Sequence, residues 1–367
     1  MNQQALRNIS NIAVVGGGNI GTQFACVCAS RGYSVRIYSS KPDAFSNVLE
    51  IVDSENRVNH TGKIDFVTDN LERALHNADL VFVTLPAFMF PDIGRKMERY
   101  ISPGMCIGVI PGTGGAEFAF RGCIERGAVL FGLQRVPGVA RLTEYGKRVC
   151  VEGLRDKLHL AAIPNQHAAE LSTFVSELFD MPCENLPNYL CVTMTPSNPI
   201  LHTTRLCAMF QDYQDGTVYP QNPLFYGEWS EESSELLFAC DTEHQQLCAM
   251  LNKLDLTSVR SLKDHYESDT PEKLTKKIRS IASLHNLLSP MKKVDGGWIP
   301  DFSSRYFTAD FPYGLAIIQE IARLAGAPVS NINKTLQWYY RLTGQKGTFK
   351  LSDYGVESVE DLYKLYQ

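Results

Sequence analysis

The chain has 367 residues, 44% of them hydrophobic and 20% charged, with a formal net charge of −5 and a sequence pI near 5.9. Such a composition excludes a disordered chain or a small disulfide-stapled scaffold, and the length has room for two domains with sizeable cores. With no long Lys/Arg run, the acidic balance also argues against nucleic acid or an anionic membrane surface as the main partner and leaves small molecules.

The ten cysteines are scattered without paired C-x-x-C spacing, so they read as reduced, mostly buried thiols, and no His/Cys/Asp/Glu cluster has metal-ligand spacing. The opening MNQQALRNIS is polar, and no apolar run reaches the roughly 18 residues a membrane span needs. The expectation is a soluble, cytoplasmic protein, monomeric or homodimeric.

Ile12 to Val15 is a β-branched run. A glycine turn follows, then a helical stretch from Ile20 to Arg31 that ends near Gly32, then a short strand from Val35 to Tyr38. Further strand-like runs lie at Leu80 to Leu85, Ile107 to Ile110, Val129 to Leu133 and Val149 to Val151. Their alternation with helical segments predicts an α/β fold with a doubly wound parallel sheet. From Met181 to Pro199 prolines accumulate and the alternation stops. This places a boundary at Pro187, with a dinucleotide-binding Rossmann domain over 1–186 and an all-α domain over 187–367. Helices are expected there at Ser233 to Leu251, Pro271 to Leu288 and Tyr313 to Leu324.

GGGNIG, Gly16 to Gly21, satisfies G-x-G-x-x-G in the setting the pattern requires, after a strand and opening a helix. Gly16 permits the tight turn, Gly18 lets the backbone approach a pyrophosphate, and Gly21 lets helix and strand pack closely; Asn19 and Ile20 begin the helix whose free N–H groups face the anion. The second strand ends in YSSKP, Tyr38 to Pro42, where an acid for the ribose of NAD would be expected. Ser39, Ser40 and Lys41 instead suit a 2′-phosphate, which slightly favours NADP(H) over NAD(H). Pro86 and Ala87, in TLPA, and Thr113, in PGTGG, follow later strands at the edge where such sheets meet their ligand.

Nicotinamide chemistry needs a proton donor or acceptor beside the hydride path. Of the eight histidines, His202 stands out because it follows SNPIL, where Ser197 or Asn198 can cap a helix with Pro199 in its first turn. The segment SRYFTADFPYG sets Arg305 and Asp310 among rings. Two opposite charges there are either an ion-paired structural turn or a site.

The blocks NPILH, NPLFYGEW and VDGGWIPDFSSRYFTADFPYGL, together with ADLVFVTLPAF and the run from PGTGGAEF to RVPGVARLTEYG, resemble the octopine and opine dehydrogenases over nearly the whole chain. The resemblance implies NAD(P)H-dependent reductive condensation of a 2-oxo acid, pyruvate or a relative, with the amine of an amino acid. It makes His202 the catalytic histidine and Asp310 its carboxylate partner. Arg305 would bind the oxo-acid carboxylate or hold Asp310 in place. Thr113, Gln134, Arg135 and Asn198 fall on the substrate side. The stretch from Leu133 to Gly146 carries Arg135 and Arg141 but no carboxylate before Glu144, which disfavours arginine as the amine and suits a neutral or acidic amino acid. Two other readings share the scaffold: a single-substrate 2-oxo acid reductase of the ketopantoate-reductase kind, and a nucleotide-binding sensor without catalysis.

Overall fold

The structure is a computed structural model that describes residues 8–345 and 349–366; most of the polar opening segment lies outside the described residues. The chain forms two compact units, Met1–Thr193 with Leu365–Gln367, and Met194–Lys364.

The first unit is built on a sheet of eight strands. In chain order its strands, with those of a second sheet, are β1 (Asn11–Val15), β2 (Ser34–Tyr38), β3 (Val48–Val52), β4 (Val58–Lys63), β5 (Phe66–Thr68) and β6 (Leu80–Val83). Then come β7 (Cys106–Val109), β8 (Val129–Leu133), β9 (Val139–Glu144), β10 (Arg148–Glu152), β11 (Leu158–Ile163) and β12 (Cys183–Asn185). The main sheet runs β12-β11-β8-β7-β6-β1-β2-β5, parallel except where β11 meets β8. Strands β6, β7 and β8 are buried along their whole length, as a parallel sheet covered on both faces requires. That double burial explains why they read as unbroken apolar runs. The chain leaves β1 toward β2 on one side and returns at β6 on the other, so the loops after β1 and β6 flank the point where strand order reverses.

A second sheet, β4-β3-β10-β9, covers the helix Asn19–Ser30. A Cβ on Gly62 of β4 would stand 2.5 Å from the Cys26 carbonyl of that helix, so glycine is required by the close approach. Val149 to Val151 belongs to this second sheet, inside β10, paired parallel to β3 and antiparallel to β9.

The second unit is helical, with its longest helices at Glu231–Met250 and Ser330–Thr343. Ser230 caps the first of these by accepting from the Ser233 N–H. The helical stretch beginning at Pro271 ends at Arg279 and resumes only as a short turn, Ala282–His285. Between the helices sits one hairpin, β13 (Met291–Val294) with β14 (Gly297–Pro300). It closes over Asp295 and Gly296, the latter at φ +84, a two-residue Asp-Gly loop of the kind that favours a hairpin.

Candidate active site

In the first unit the glycine turn and the TLPA loop lock together. Gly16 adopts φ +117, its N–H donates to the Tyr38 carbonyl, and the Thr84 hydroxyl donates to the carbonyls of Val15 and Gly16. A Cβ on Gly21 would lie 1.8 Å from the Gly16 oxygen, whereas one on Gly18 would meet nothing within 4 Å. Gly21 is therefore demanded by packing, and Gly18 leaves space in front of the helix. Gly18 precedes the helix Asn19–Ser30 with no side-chain cap and no acid in the first turn, so the terminal N–H groups remain available to an anion. These features fit a dinucleotide pyrophosphate. Gly17, passed over in the sequence, is constrained as well: a Cβ there would come 2.4 Å from the Phe45 ring.

The other cofactor-side residues divide. The Asn19 side chain is committed to the protein, accepting from the Leu142 N–H at 2.9 Å, so only its main chain is left for a ligand. Ser39 is buried and its hydroxyl accepts from the Lys41 N–H. Ser40 and Lys41 are exposed at the end of β2, with the Lys41 ammonium 5.8 Å from the Tyr145 ring centre. Ile20 is half-buried in the first helical turn, and Pro86 leads into a short turn at Ala87–Met89.

Thr113 follows β7, in a loop held when the Gly112 N–H donates to the Leu133 carbonyl and Tyr189 donates to the Gly112 carbonyl. Gln134 and Arg135 follow β8, with the Gln134 N–H given to the His159 carbonyl. Arg155 lies within electrostatic reach of Arg135: burial pushes its guanidinium down, and the Arg135 charge adds to the effect.

The second unit brings His202 and Asp310 together. His202 is the second residue of the helix Leu201–Met209. The expected side-chain cap is absent; the helix starts after Pro199, because residues from Pro196 already curl, with the Ile200 N–H on the Pro196 carbonyl at 3.0 Å. Asn198, exposed, contributes its main-chain carbonyl, which accepts the His202 N–H at 3.2 Å.

Asp310 comes from Tyr306–Leu315, a wide helical segment containing Pro312, with Tyr313 out of helical geometry. Proline lacks the N–H that would close a regular turn there. Phe311 anchors the segment, stacked 4.3 Å from Tyr339. Gly314 lets it approach the start of the histidine helix, since a Cβ would sit 3.1 Å from Pro199. The outcome is a hydrogen bond of 2.8 Å between His202 Nδ1 and Asp310 Oδ2, with side-chain exposures of 14% and 15%. An ionised carboxylate only accepts, so Nδ1 carries a proton.

The other ring nitrogen, Nε2, lies 2.9 Å from the hydroxyl of Tyr226. The rings of Phe225, Tyr226 and Tyr306 surround the imidazole, Tyr306 closest at 4.7 Å between centres. Burial pushes the Tyr226 phenol well above its ordinary value, with Tyr306 adding to it, so this hydroxyl stays protonated. Tyr226 was not singled out in the sequence, although it stands in NPLFYGEW; an aromatic in an apolar block reads as core. Arg305 is exposed and makes no ion pair with Asp310 among the described residues. The alternatives of a structural Arg305–Asp310 pair, or of Arg305 holding Asp310, are therefore not realised.

Two family models match the chain: the alpha-helical domain of NAD/NADP octopine/nopaline dehydrogenase over residues 185–343, and the N-terminus of NAD-dependent glycerol-3-phosphate dehydrogenase over residues 11–112. Tauropine dehydrogenase of Arabella iricolor is 25% identical over 91% of this chain and 92% of its own. Octopine dehydrogenase of Pecten maximus is 25% identical over 91% and 90%. Over residues 185–343 the chain matches the octopine and nopaline dehydrogenase family, and over nine-tenths of its length it is similar to whole opine-type dehydrogenases. An octopine dehydrogenase structure with NADH and L-arginine has the same fold, at TM-score 0.86 and 22% identity over 96% of this chain and 98% of the other. As an opine-dehydrogenase-like protein, this chain is an NAD(P)-dependent oxidoreductase acting on CH-NH donors. Among the described residues, no helix is long and apolar enough to cross a membrane.

Proposed function

We propose that the protein joins a 2-oxo acid of the pyruvate type to the amine of a neutral or acidic amino acid and reduces the product of that condensation, with the cofactor domain over 1–186 and the substrate domain over 187–367. The observation that carries this reading is the pairing of His202 with Asp310, a proton-handling imidazole with its tautomer and orientation fixed by a carboxylate.

Each group has a defined task. His202 takes a proton from the incoming ammonium and returns it to the carbonyl oxygen as that oxygen leaves. Asp310 holds Nδ1–H and balances the imidazolium when it forms. Arg305, exposed, binds the oxo-acid carboxylate. Gly16, Gly18, Gly21 and the main chain of Asn19 and Ile20 hold the pyrophosphate, Pro86 and Ala87 flank the nicotinamide side, and the bound nicotinamide supplies the hydride.

Arg135 with Arg155 gives the loop after β8 a positive character, and this supports an amine substrate bearing a carboxylate side chain or none over a guanidinium. Thr113 and Gln134 of the first unit serve as its hydrogen-bonding groups, and Asn198 of the second is an exposed substrate-side amide. Exposed Ser40 and Lys41 at the end of β2 favour NADPH over NADH.

The test follows absorbance of NADPH and NADH with pyruvate, with and without a mixture of amino acids, beside His202→Ala and Asp310→Asn. Oxidation that needs both oxo acid and amine, and that both variants lose, is expected. Oxidation with the oxo acid alone would replace this reading with simple ketone reduction.

A further inference from the structure

Both ring nitrogens of His202 are occupied, Nδ1 by Asp310 and Nε2 by the Tyr226 hydroxyl, at 2.8 and 2.9 Å. The Tyr226 hydroxyl is itself hydrogen-bonded to Tyr306. Four groups thus form one continuous line of exchangeable protons, from a carboxylate through an imidazole and a buried phenol to a half-buried phenol. Because Asp310 fixes Nδ1–H, Nε2 is the nitrogen that changes protonation, and Nε2 faces Tyr226.

The reductive-condensation reading, on which this inference rests, has a proton demand that one histidine cannot meet alone. The amine enters as R–NH3+ and gives one proton to the imidazole. Its nitrogen lone pair then bonds to the oxo carbon, and the carbonyl π pair moves to oxygen. The imidazole returns its proton to that oxygen, the nitrogen gives up a second proton to it, and the C–O bond breaks to release water while the nitrogen lone pair forms the C=N bond. The carbon takes the hydride, the C=N π pair returns to nitrogen, and the secondary amine so formed takes up a further proton. The histidine has given back the one proton it received, so one more enters from solvent in each turnover.

We propose that Tyr226 is the proton-passing residue of this site: protons reach and leave Nε2 of His202 through its hydroxyl, with Tyr306 as the outer end of the relay. Tyr226 acts through His202 and also positions the ring. A phenol suits the task because it donates and accepts at a single oxygen; a neutral Tyr226 accepts from the imidazolium and donates to the imidazole without becoming charged at rest. Beside His202 itself, Tyr306, Tyr266 and Asp310 act on the Tyr226 phenol, and each strengthens its hold on the proton.

Tyr226→Phe keeps the ring, its stacking on Trp229 and its contact with Phe225, and removes only the oxygen. The expected result is a kcat lower by about 10- to 100-fold with both KM values within about twofold. The solvent deuterium isotope effect on kcat should rise, because proton delivery becomes limiting. Tyr306→Phe should give the same signature at smaller amplitude. Unchanged kcat and unchanged solvent isotope effect in Tyr226→Phe would overturn the proposal, as would a loss confined to KM or to thermal stability.

The wild-type substrate requirement is measured first, which separates the two readings. If an oxo acid alone is reduced, the condensation reading fails, and the relay is tested on the ketone, whose oxygen also takes a proton. If no pair turns over, the 15N spectrum of the His202 ring decides: the Nε2 resonance should move in Tyr226→Phe, and an unmoved resonance overturns the relay.

Discussion

The carboxylate of Glu117 and the phenol of Tyr366, 249 positions apart in sequence, meet at 2.9 Å inside the first unit. The Thr193 hydroxyl adds bonds of 2.6 and 2.8 Å to the two carboxylate oxygens. Burial pushes Glu117 up to about 7 from its ordinary 4.5, while the Thr193 and Tyr366 hydroxyls pull the other way. An acid that keeps its proton to higher pH when folded contributes stability that is complete below about 4.5 and is lost as pH rises to about 7. Glu117→Gln should flatten that loss. Denaturant midpoints at about pH 5 and about pH 8 are expected to differ more in the wild type than in the variant. Asp241, pushed up to about 6 by burial, has the same sign and keeps a residual slope; a wild-type slope fully retained in Glu117→Gln would refute the assignment.

Asp310→Asn preserves shape but lets an amide face Nδ1, so the ring is free to take the wrong tautomer. Turnover should fall by about 10²- to 10⁴-fold with little change in cofactor affinity. The two are read separately by steady-state rates and by fluorescence titration of the reduced cofactor.

Arg305 is exposed and makes no ion pair among the described residues, so Arg305→Ala should leave thermal stability within about 0.5 kcal/mol of wild type. If it binds the oxo-acid carboxylate, KM for that substrate rises by roughly 10- to 100-fold while KM for the amine stays put. Equal rises in both would assign Arg305 to something other than the oxo acid.

The fingerprint glycines should respond differently. Gly21→Ala, whose Cβ would clash with the Gly16 oxygen at 1.8 Å, is expected to lower stability by about 1–3 kcal/mol. Gly18→Ala, with open space before it, should melt like wild type yet bind cofactor at least about tenfold more weakly. A melting scan and a cofactor titration of both variants give the comparison.

Lys41→Ala removes an exposed charge at the end of β2. It should weaken NADPH binding relative to NADH by about fivefold, the scale of one exposed charge contact; an unchanged ratio of the two dissociation constants would leave the preference to other groups.

What was legible in the sequence follows from locality. The strand, glycine turn and helix from β1 to Asn19–Ser30 are written in adjacent residues, and their burial matches their pattern. The second sheet was not legible, because β4, VNHTGK, is exposed at all but one position and offers no apolar alternation. The β13–β14 hairpin did carry a local signal, Asp295-Gly296, but its strands are short and only partly buried. His202 and Asp310 were recognisable through the blocks they stand in. Tyr226 was not, since its role exists only once a helix, a loop and the Tyr306–Leu315 segment converge on one imidazole. Glu117 was hidden for the same reason: AEF reads as one acid beside apolar residues until Tyr366 is brought to it.

The division of the chain, with Leu365–Gln367 belonging to the first unit, sets an order on biosynthesis. A ribosome delivers the chain from the N-terminus, and domains generally fold as they emerge. Glu117 is made early but must wait for Tyr366, so throughout translation of the whole second unit the first carries a buried acid short of one hydrogen-bond donor. The nascent cofactor domain is thus completed last, by residues made after the domain that follows it.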